Sequence, residues 1–593
     1  MTEAVEDATE PRRHRRAIRI AVAVAAAILI AAVTWVAVRG WLAKGELEAA
    51  IPVAQQLAES AGAGVVEVDD AVTTLQQHTA EAASLTSDPI WRLGESVPWV
   101  GDDLHAVRAI AESAHSLAED VGPLVDAAAF GDDGVMSAAG HVDLGRLASL
   151  EPAVAAAASD LVSASRRIGG LPAGGLLEPV ADARERFDGL LSRATPIVTT
   201  AATALRLAPP MLGADGPRDY LVLVLNNAEL RTTGGIPGAI AQVHVEDGAM
   251  SLARIGGNGT VRSELDGFDP LPEAETALWG DKPTRFVQNV TMTPDFALTA
   301  ALAREFWLRS TGTDVDGVIA VDPGFLAGVL AATGPIEAGG DTLSADDVVR
   351  TLLVDSYSRI PDADALDEYF AQVGSAVFDR LTAGDVDAAR LLDASASAAR
   401  EGRISMWSAD AGEQGLLATT TLGGPSAALD AAGPESYGVY LNDTTGAKMD
   451  PYLDVEIATG TASCRGDGLA DVGVRVTLTN SAPADAADTL PFLVALDGRY
   501  GVPPGSVGTD IAVYGAPGSF RGGVRDGGDL IATVDATAAD RPVSMHGVVL
   551  APGESRTVEY RFVAAEAGQG RPVVRHTPLV DDPEVSSYTP ACG

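Results

Sequence analysis

Residues 220–235 read YLVLVLNNAELRTTGG, an apolar run that stops on two asparagines, a glutamate, an arginine and a Gly-Gly pair. Tyr220 to Leu225 has the make-up of a strand buried on both faces, and α/β folds place binding groups at the ends of such strands. Asn226 and Asn227 offer amide donors and acceptors, Glu229 an acid or metal ligand, and Arg231 a planar fork for phosphate or carboxylate. Gly234 and Gly235 permit close backbone approach. Two readings follow. Either the cluster grips an anion, or Glu229 pairs with Arg231 while the asparagines shape a turn.

The surrounding segment, residues 208–430, has the alternation of an α/β domain. Strand-like runs at Tyr220–Leu225, Ala239–Val245 and Gly317–Val321 alternate with helical ones at Phe296–Leu308, Pro323–Ala332, Ala345–Leu353 and Asp364–Leu381. Ser344 is the expected cap of the third helix. Asn258, Arg262 and Glu264 lie in a glycine-rich loop, Gly256–Gly267, which reads either as an ordinary surface loop or as a lid. Asn289 and Asp295 bracket VTMTP ahead of a helix, where Asp295 serves as a cap or as a cation ligand. Of Asp314, Asp316 and Asp322, only Asp322 stands at a strand end, as a metal ligand would. There is no G-x-S-x-G elbow, no H-E-x-x-H and no Walker loop.

On either side the composition shifts. Residues 42–207 are alanine-rich with apolar residues at helical spacing, Val65, Val68, Val72 and Leu75 among them, which predicts a helical bundle or stalk. Breaks fall at Gly62–Gly64, Asp88-Pro89, Pro98–Gly101, Gly131–Gly134 and Gly169–Gly175. Trp91 and Trp99 sit in one turn and are expected to plug the bundle end. From residue 450 to 593 short β-rich runs alternate with Gly/Pro/Asp turns, the pattern of a β-sandwich without helices. The two cysteines, Cys464 and Cys592, form either one bridge to the C-terminal tail or two buried thiols.

Ile20–Val38 runs without a charge and is preceded by Arg12, Arg13, Arg15, Arg16 and Arg19. At 1.5 Å per residue it spans roughly 28 Å, the depth of the hydrocarbon core. The arginines predict a cytoplasmic tail, residues 1–19, and a large domain outside. An uncleaved anchor fits better than a signal peptide, whose apolar region is shorter. The net charge is −41, and with six arginines against four acids in residues 1–40 the remainder carries −43. Such a surface excludes nucleic acid as a partner. The fold class expected is a multidomain α+β protein: transmembrane helix, helical stalk, central α/β domain and C-terminal β-sandwich.

NNAELRTTGG after a strand, VTMTPDF, DVDGVIAVDPGFLAGVLAATGPI and YGVYLNDTTGAKMDPYLDV together resemble the bacterial envelope family known as domain of unknown function 4012. The likeness covers roughly residues 85–593, with Ile236-Pro237-Gly238 as a departure. VDGVIAVDPGFLAGVLAATGPIEA is more distantly similar to the LytR-CpsA-Psr phosphotransferases, bitopic proteins that move glycopolymers from polyprenyl pyrophosphate to the cell wall. That resemblance implies a LytR-CpsA-Psr-like α/β domain and a polyprenyl-linked glycan or cell-wall polymer as partner. It implies Arg231 as a phosphate holder, and Glu229 or Asp322 beside a divalent cation such as magnesium. The Pro-Arg-Asp signature of those enzymes is absent here. The alternative is a non-catalytic envelope scaffold or a glycan- or protein-binding module.

Overall fold

The computed structural model describes residues 10–63, 69–128, 141–172, 174–262, 271–384, 386–567 and 571–592. Residues 1–9 of the basic tail, Gly64, Val65, Val68, the Gly131–Gly134 break and Glu264 lie outside the described residues. The chain is mixed α/β and divides into two compact units, Met1–Asp132 with Gly145–Ala208, and Asp133–Leu144 with Pro209–Gly593.

Helices make up the first unit: α1 (Glu10–Ala63), α2 (Asp69–Thr86), α3 (Pro89–Gly94), α4 (Gly101–Ala128), α5 (Leu144–Gly169) and α6 (Glu178–Met211). Side chains of the apolar Ile20–Val38 segment stand mostly exposed, whereas Ala43, Ala50 and Leu57 farther along α1 are buried. Among the described residues α1 is the one helix long and apolar enough to cross a membrane. Small residues at the contacts let the helices approach closely: Ala50, Leu57, Val72, Leu75 and Ala118 form one core, and Ala106, Ile110, Leu161, Ile168 and Leu191 another. The two turn tryptophans separate. Trp91 is sealed and donates its indole N–H to the Leu104 carbonyl at 3.0 Å, as a plug should. Trp99 does not plug anything; it is 93% exposed.

A five-stranded sheet organises the start of the second unit, in the order β3-β2-β1-β4-β5, with β1 (Arg218–Asn226), β2 (Ile236–Glu246), β3 (Ala249–Gly257), β4 (Gly317–Val321) and β5 (Ile404–Ser408). Only β1 and β4 are parallel. β1 is central, so both its faces are covered, and its side chains alternate accordingly. Leu221, Leu223 and Leu225 pack on Phe296, Ala300, Phe306 and Trp307 of α7 (Phe296–Thr311). Tyr220, Val222 and Val224 face the opposite layer, α8 (Pro323–Thr333) and α9 (Ala363–Thr382).

Several helix starts follow local chemistry. Asp295 accepts from the Ala297 and Leu298 amides, Asp322 from Phe325, and Asp362 from Ala365, each a side-chain cap. The helix expected over Ala345–Leu353 is instead a short α turn at Val348–Arg350, a π stretch at Thr351–Asp355 and a final turn at Ser356–Arg359. Ser344 does not cap it: its own amide donates to Asp347 Oδ1 at 2.7 Å.

Two further sheets, of six and five strands, build the C-terminal part of the second unit. One orders its strands 529–531, 520–526, 555–567, 469–480, 453–462 and 584–587, the other 534–538, 541–550, 507–514, 436–443 and 573–576. They enclose one core, in which Val439, Leu441, Ile511 and Val513 meet Val472, Val474, Tyr560 and Phe562. The β region thus begins at Ser436, ahead of residue 450, and carries short helices at Ala486–Thr489 and Phe492–Ala495 that composition did not reveal.

Cys464 and Cys592 are bridged. The tail is held by more than sulfur: the 584–587 strand pairs with 453–462, and Tyr588 lies under the Arg475 guanidinium and donates to Glu559. Because the bridge closes a loop of 128 residues, its removal relaxes the unfolded chain considerably. Cys464→Ser with Cys592→Ser is expected to lower the unfolding free energy by about 2–5 kcal/mol in urea melts. An unchanged midpoint would contradict this.

Candidate functional site

The segment that follows β1 turns inward. Every residue from Leu225 to Pro237 is buried, and its polar groups meet partners some two hundred residues away. Leu230 N donates to Asp450 Oδ2 at 2.6 Å, and Leu230 O accepts from the Asp443 amide at 2.9 Å. Thr232 N donates to Asn442 Oδ1 at 3.2 Å, and Asn442 Nδ2 donates to Thr232 Oγ1 at 3.0 Å. These bonds weld the end of β1 to the 436–443 strand and the turn after it. Gly235 is required by proximity, since a Cβ there would collide with the Asn226 carbonyl.

Charge is arranged around that weld. Arg231 spends its guanidinium on Asn289 Oδ1 (3.0 and 3.3 Å), the Leu230 carbonyl (2.7 Å), the Asp443 carbonyl (3.4 Å) and Glu229 Oε1 (3.1 Å). That uses all five of its N–H groups. Lys448 closes on the other oxygen of Glu229. Burial raises the Glu229 pKa, yet Lys448 and Arg231 outweigh it and hold the carboxylate below its ordinary range. Asp443 and Asp450 respond oppositely. Burial, then the charge of Glu229, pushes Asp443 up to about 6. Burial, then Asp443, pushes Asp450 well above the usual aspartate range, and its Oδ1 has no hydrogen-bond partner.

The remaining candidates are distributed as follows. Asn226 donates to the Tyr357 hydroxyl at 2.5 Å and accepts from Ala228 N. Asn227 reaches Asp322 at 3.3 Å and the Pro578 carbonyl at 3.4 Å. Gly234 has φ +128 and sits against Asn227 and Leu225. Asn289 joins Arg231; Asp295 only caps α7. Arg262 stands exposed and does not enter the cluster. Asp322 is sealed, caps α8 and receives Arg403 Nη1 at 2.9 Å; burial raises its pKa and Arg403 offsets that only in part. Asp314 is clamped by Arg304 and Asp316 accepts from Asp219 N, so both shape turns. Among the described residues no three His, Cys, Asp or Glu side chains gather as a metal set, so these groups do not fit a divalent cation.

Sequence reasoning did not read chemistry in Asn442, Asp443, Lys448 and Asp450, although LNDTTGAKMD is visibly rich in it. Nothing local pairs those residues with Glu229 and Arg231. It also did not anticipate a pocket. Between the sheet and α8, the π stretch and α9 lies a cavity of about 360 Å³. Its walls are Tyr220, Val222 and Val224 of β1, Ala241 and Val243 of β2, Ile319 of β4, Phe325 and Val329 of α8, Leu352 of the π stretch, and Phe370, Val373 and Val377 of α9. Asn226 and Asp322 are its polar edge, the same two residues that border the buried cluster.

Both aspartates hold protons more tightly folded than unfolded. Their contribution to stability is fully present below the ordinary aspartate value of 3.8 and is lost as pH rises, for Asp443 through about 6. Glu229 has the opposite sign, contributing above its ordinary 4.5 and losing that on acidification. Asp450→Asn mimics the protonated acid: its oxygen keeps Leu230, and its amide replaces the unpartnered Oδ1. The melting temperature of this variant relative to wild type is therefore expected to increase as pH rises from the aspartate range toward neutrality. Parallel profiles in differential scanning calorimetry would contradict the assignment.

Neither a curated protein nor a solved structure matches the chain. Residues 215–357, which carry β1 to β4, α7, α8 and Tyr357, match the family model described as Protein of unknown function (DUF4012).

Proposed function

We propose that this protein is a membrane-anchored, extracytoplasmic component of bacterial cell-envelope biogenesis whose α/β domain holds the hydrocarbon chain of a lipid, a polyprenyl-linked glycan in particular. The observation that carries the reading is the 360 Å³ apolar cavity. A partly open apolar cleft of this size, with only a few polar groups at its edge, is the usual form of a small-molecule site. Its lining is aliphatic and aromatic apart from Asn226 and Asp322 at the edge, which suits a hydrocarbon. The π stretch in its wall supports a functional role, because such irregular turns gather at sites.

The geometry favours binding over transfer. Arg231, proposed as the phosphate holder, has its donors committed to Glu229, Asn289 and two carbonyls. Glu229 is occupied from both sides, and Asp322 by Arg403. A phosphoryl-transfer site needs cationic donors left over for the transferring group. In this reading the resemblance to LytR-CpsA-Psr enzymes extends to the fold and the lipid, with the Glu229–Arg231 pair acting as structure.

The anchor supplies the location. The arginines ahead of Ile20–Val38 orient it with the N-terminus in the cytoplasm, leaving the chain beyond Arg39 outside. The Cys464–Cys592 bridge agrees with an oxidising exterior.

Val224→Trp projects an indole into the cavity without touching the Glu229–Arg231 cluster. In native mass spectrometry of the full chain released from nanodiscs containing polyprenyl phosphate, the wild type is expected to retain lipid. The variant should lose about tenfold or more in affinity, the equivalent of 1.4 kcal/mol. Equal retention by both proteins would overturn the proposal.

A further inference from the structure

The turn between α2 and α4 carries an apolar surface that neither the bundle core nor the lipid cavity accounts for. Leu93 is 72% exposed, Val97 50% and Trp99 93%, with Ile90 and Val100 exposed beside them. The turn is nevertheless tightly built. Asp88 caps α3 through the Ile90 and Trp91 amides, Trp91 is buried against Gly40, and Gly101 N donates to the Val97 carbonyl at 2.8 Å. A Cβ at Gly101 would strike the Glu95 carbonyl. Trp99 itself holds φ +70, a backbone conformation that bulky residues rarely adopt. A fixed, strained and almost wholly exposed tryptophan calls for an environment that receives it.

The register of α1 against α2 says where the turn lies. The helices run antiparallel: Leu57 shares a core with Val72 and Leu75, and Glu46 meets His78 at 2.6 Å. Nearer the span, Arg39 donates to the Leu85 and Ser84 carbonyls at 2.8 and 2.9 Å, and pairs with Asp88 at 3.1 Å. Last, the Trp35 indole donates to Asp88 at 3.3 Å. Each step along α2 therefore descends α1 toward its apolar segment, and the turn is level with Trp35 and Arg39, the outer end of Ile20–Val38. Its acids face inward: Asp88 is engaged by Arg39, and Glu95 by Arg108 at 2.6 Å. Arg92 is the exposed charge of the turn, and its sign suits a lipid phosphate.

We infer that the Pro89–Val100 turn is a second membrane contact, an apolar tip that inserts Leu93, Val97 and Trp99 into the outer interfacial layer beside the transmembrane helix. The inference rests on reading Ile20–Val38 as a membrane span. Tryptophan favours that layer because its ring is amphipathic, and the neighbouring Trp35 is placed at the same depth. Two contacts, a span and a tip joined by the Arg39–Asp88 pair, restrain the tilt and rotation of the bundle, which a lone helix leaves free.

The two native cysteines are bridged and no other exists, so a single introduced thiol labels alone. The full chain, reconstituted in liposomes, takes an environment-sensitive fluorophore at Leu93→Cys, Val97→Cys or Trp99→Cys, with Ala27→Cys in the span and Thr73→Cys on α2 as references. Labels at 93, 97 and 99 are expected to be quenched by lipids bearing a nitroxide near the headgroup and to lose quenching by aqueous iodide, while the label at 73 behaves oppositely. Iodide quenching of all three tip labels, with the label at 27 still quenched by lipid, would overturn the insertion and leave the span intact. Shielding of the tip from both quenchers would mark a protein contact and also overturn it. A label at 27 open to iodide would refute the span itself, and the tip with it.

Discussion

The hydrogen bond from the Leu230 amide to Asp450, reinforced by Arg231, Glu229 and Lys448, is the constraint on which the second unit depends. It joins the end of the central strand β1 to the turn after the 436–443 strand, and so couples the α/β sheet to the C-terminal sheets. Burying five ionisable groups is costly, and the structure offsets that cost in two ways. Arg231 and Lys448 share Glu229, and the two aspartates shift toward their neutral forms. Removing one member of such a cluster strands the others, which typically costs about 3–5 kcal/mol. The cluster thus acts as a specific fastener between the end of β1 and the turn after the 436–443 strand.

β1 explains why a fastener and a cavity occur together. Its leucines pack on one side against α7, while Val222 and Val224 line the pocket between the sheet and α8 and α9. The weld holds the end of β1 on one side of the pocket, and the helices α8 and α9 line the other. The irregular Thr351–Asp355 turn lies in that helical layer, where its Leu352 and Leu353 side chains line the space.

Much of this fold was legible because its signals are local. The apolar run of β1, the Asp322-Pro323 start of α8, the Asp295 cap and the amphipathic Asp364–Leu381 segment lie within a residue or two of the observed elements. β3 was missed because the alternation of Met250 and Leu252 with Ser251 and Ala253 is broken by a register shift before Ile255, and β5 because Ile404–Ser408 mixes two serines with three apolar residues. The pairing of Glu229 with Arg231 stood among the sequence readings, two residues apart on one turn. Lys448 and Asp450 were out of reach, since their roles exist only once a strand more than two hundred residues later docks beside them. A cavity is equally invisible in sequence: Val222 and Val224 read the same whether they meet a neighbour or a space. Trp99 was misplaced for a related reason, in that a tryptophan in a turn says nothing of which side it faces.

Hydrogen exchange by mass spectrometry, with and without polyprenyl phosphate in nanodiscs, separates the fastener from the site most directly. The account predicts slower exchange on lipid addition in the segments lining the cavity, residues 319–330 and 370–381, and slow, unchanged exchange across residues 227–235. Protection arising at residues 227–235, with none around the cavity, would contradict it.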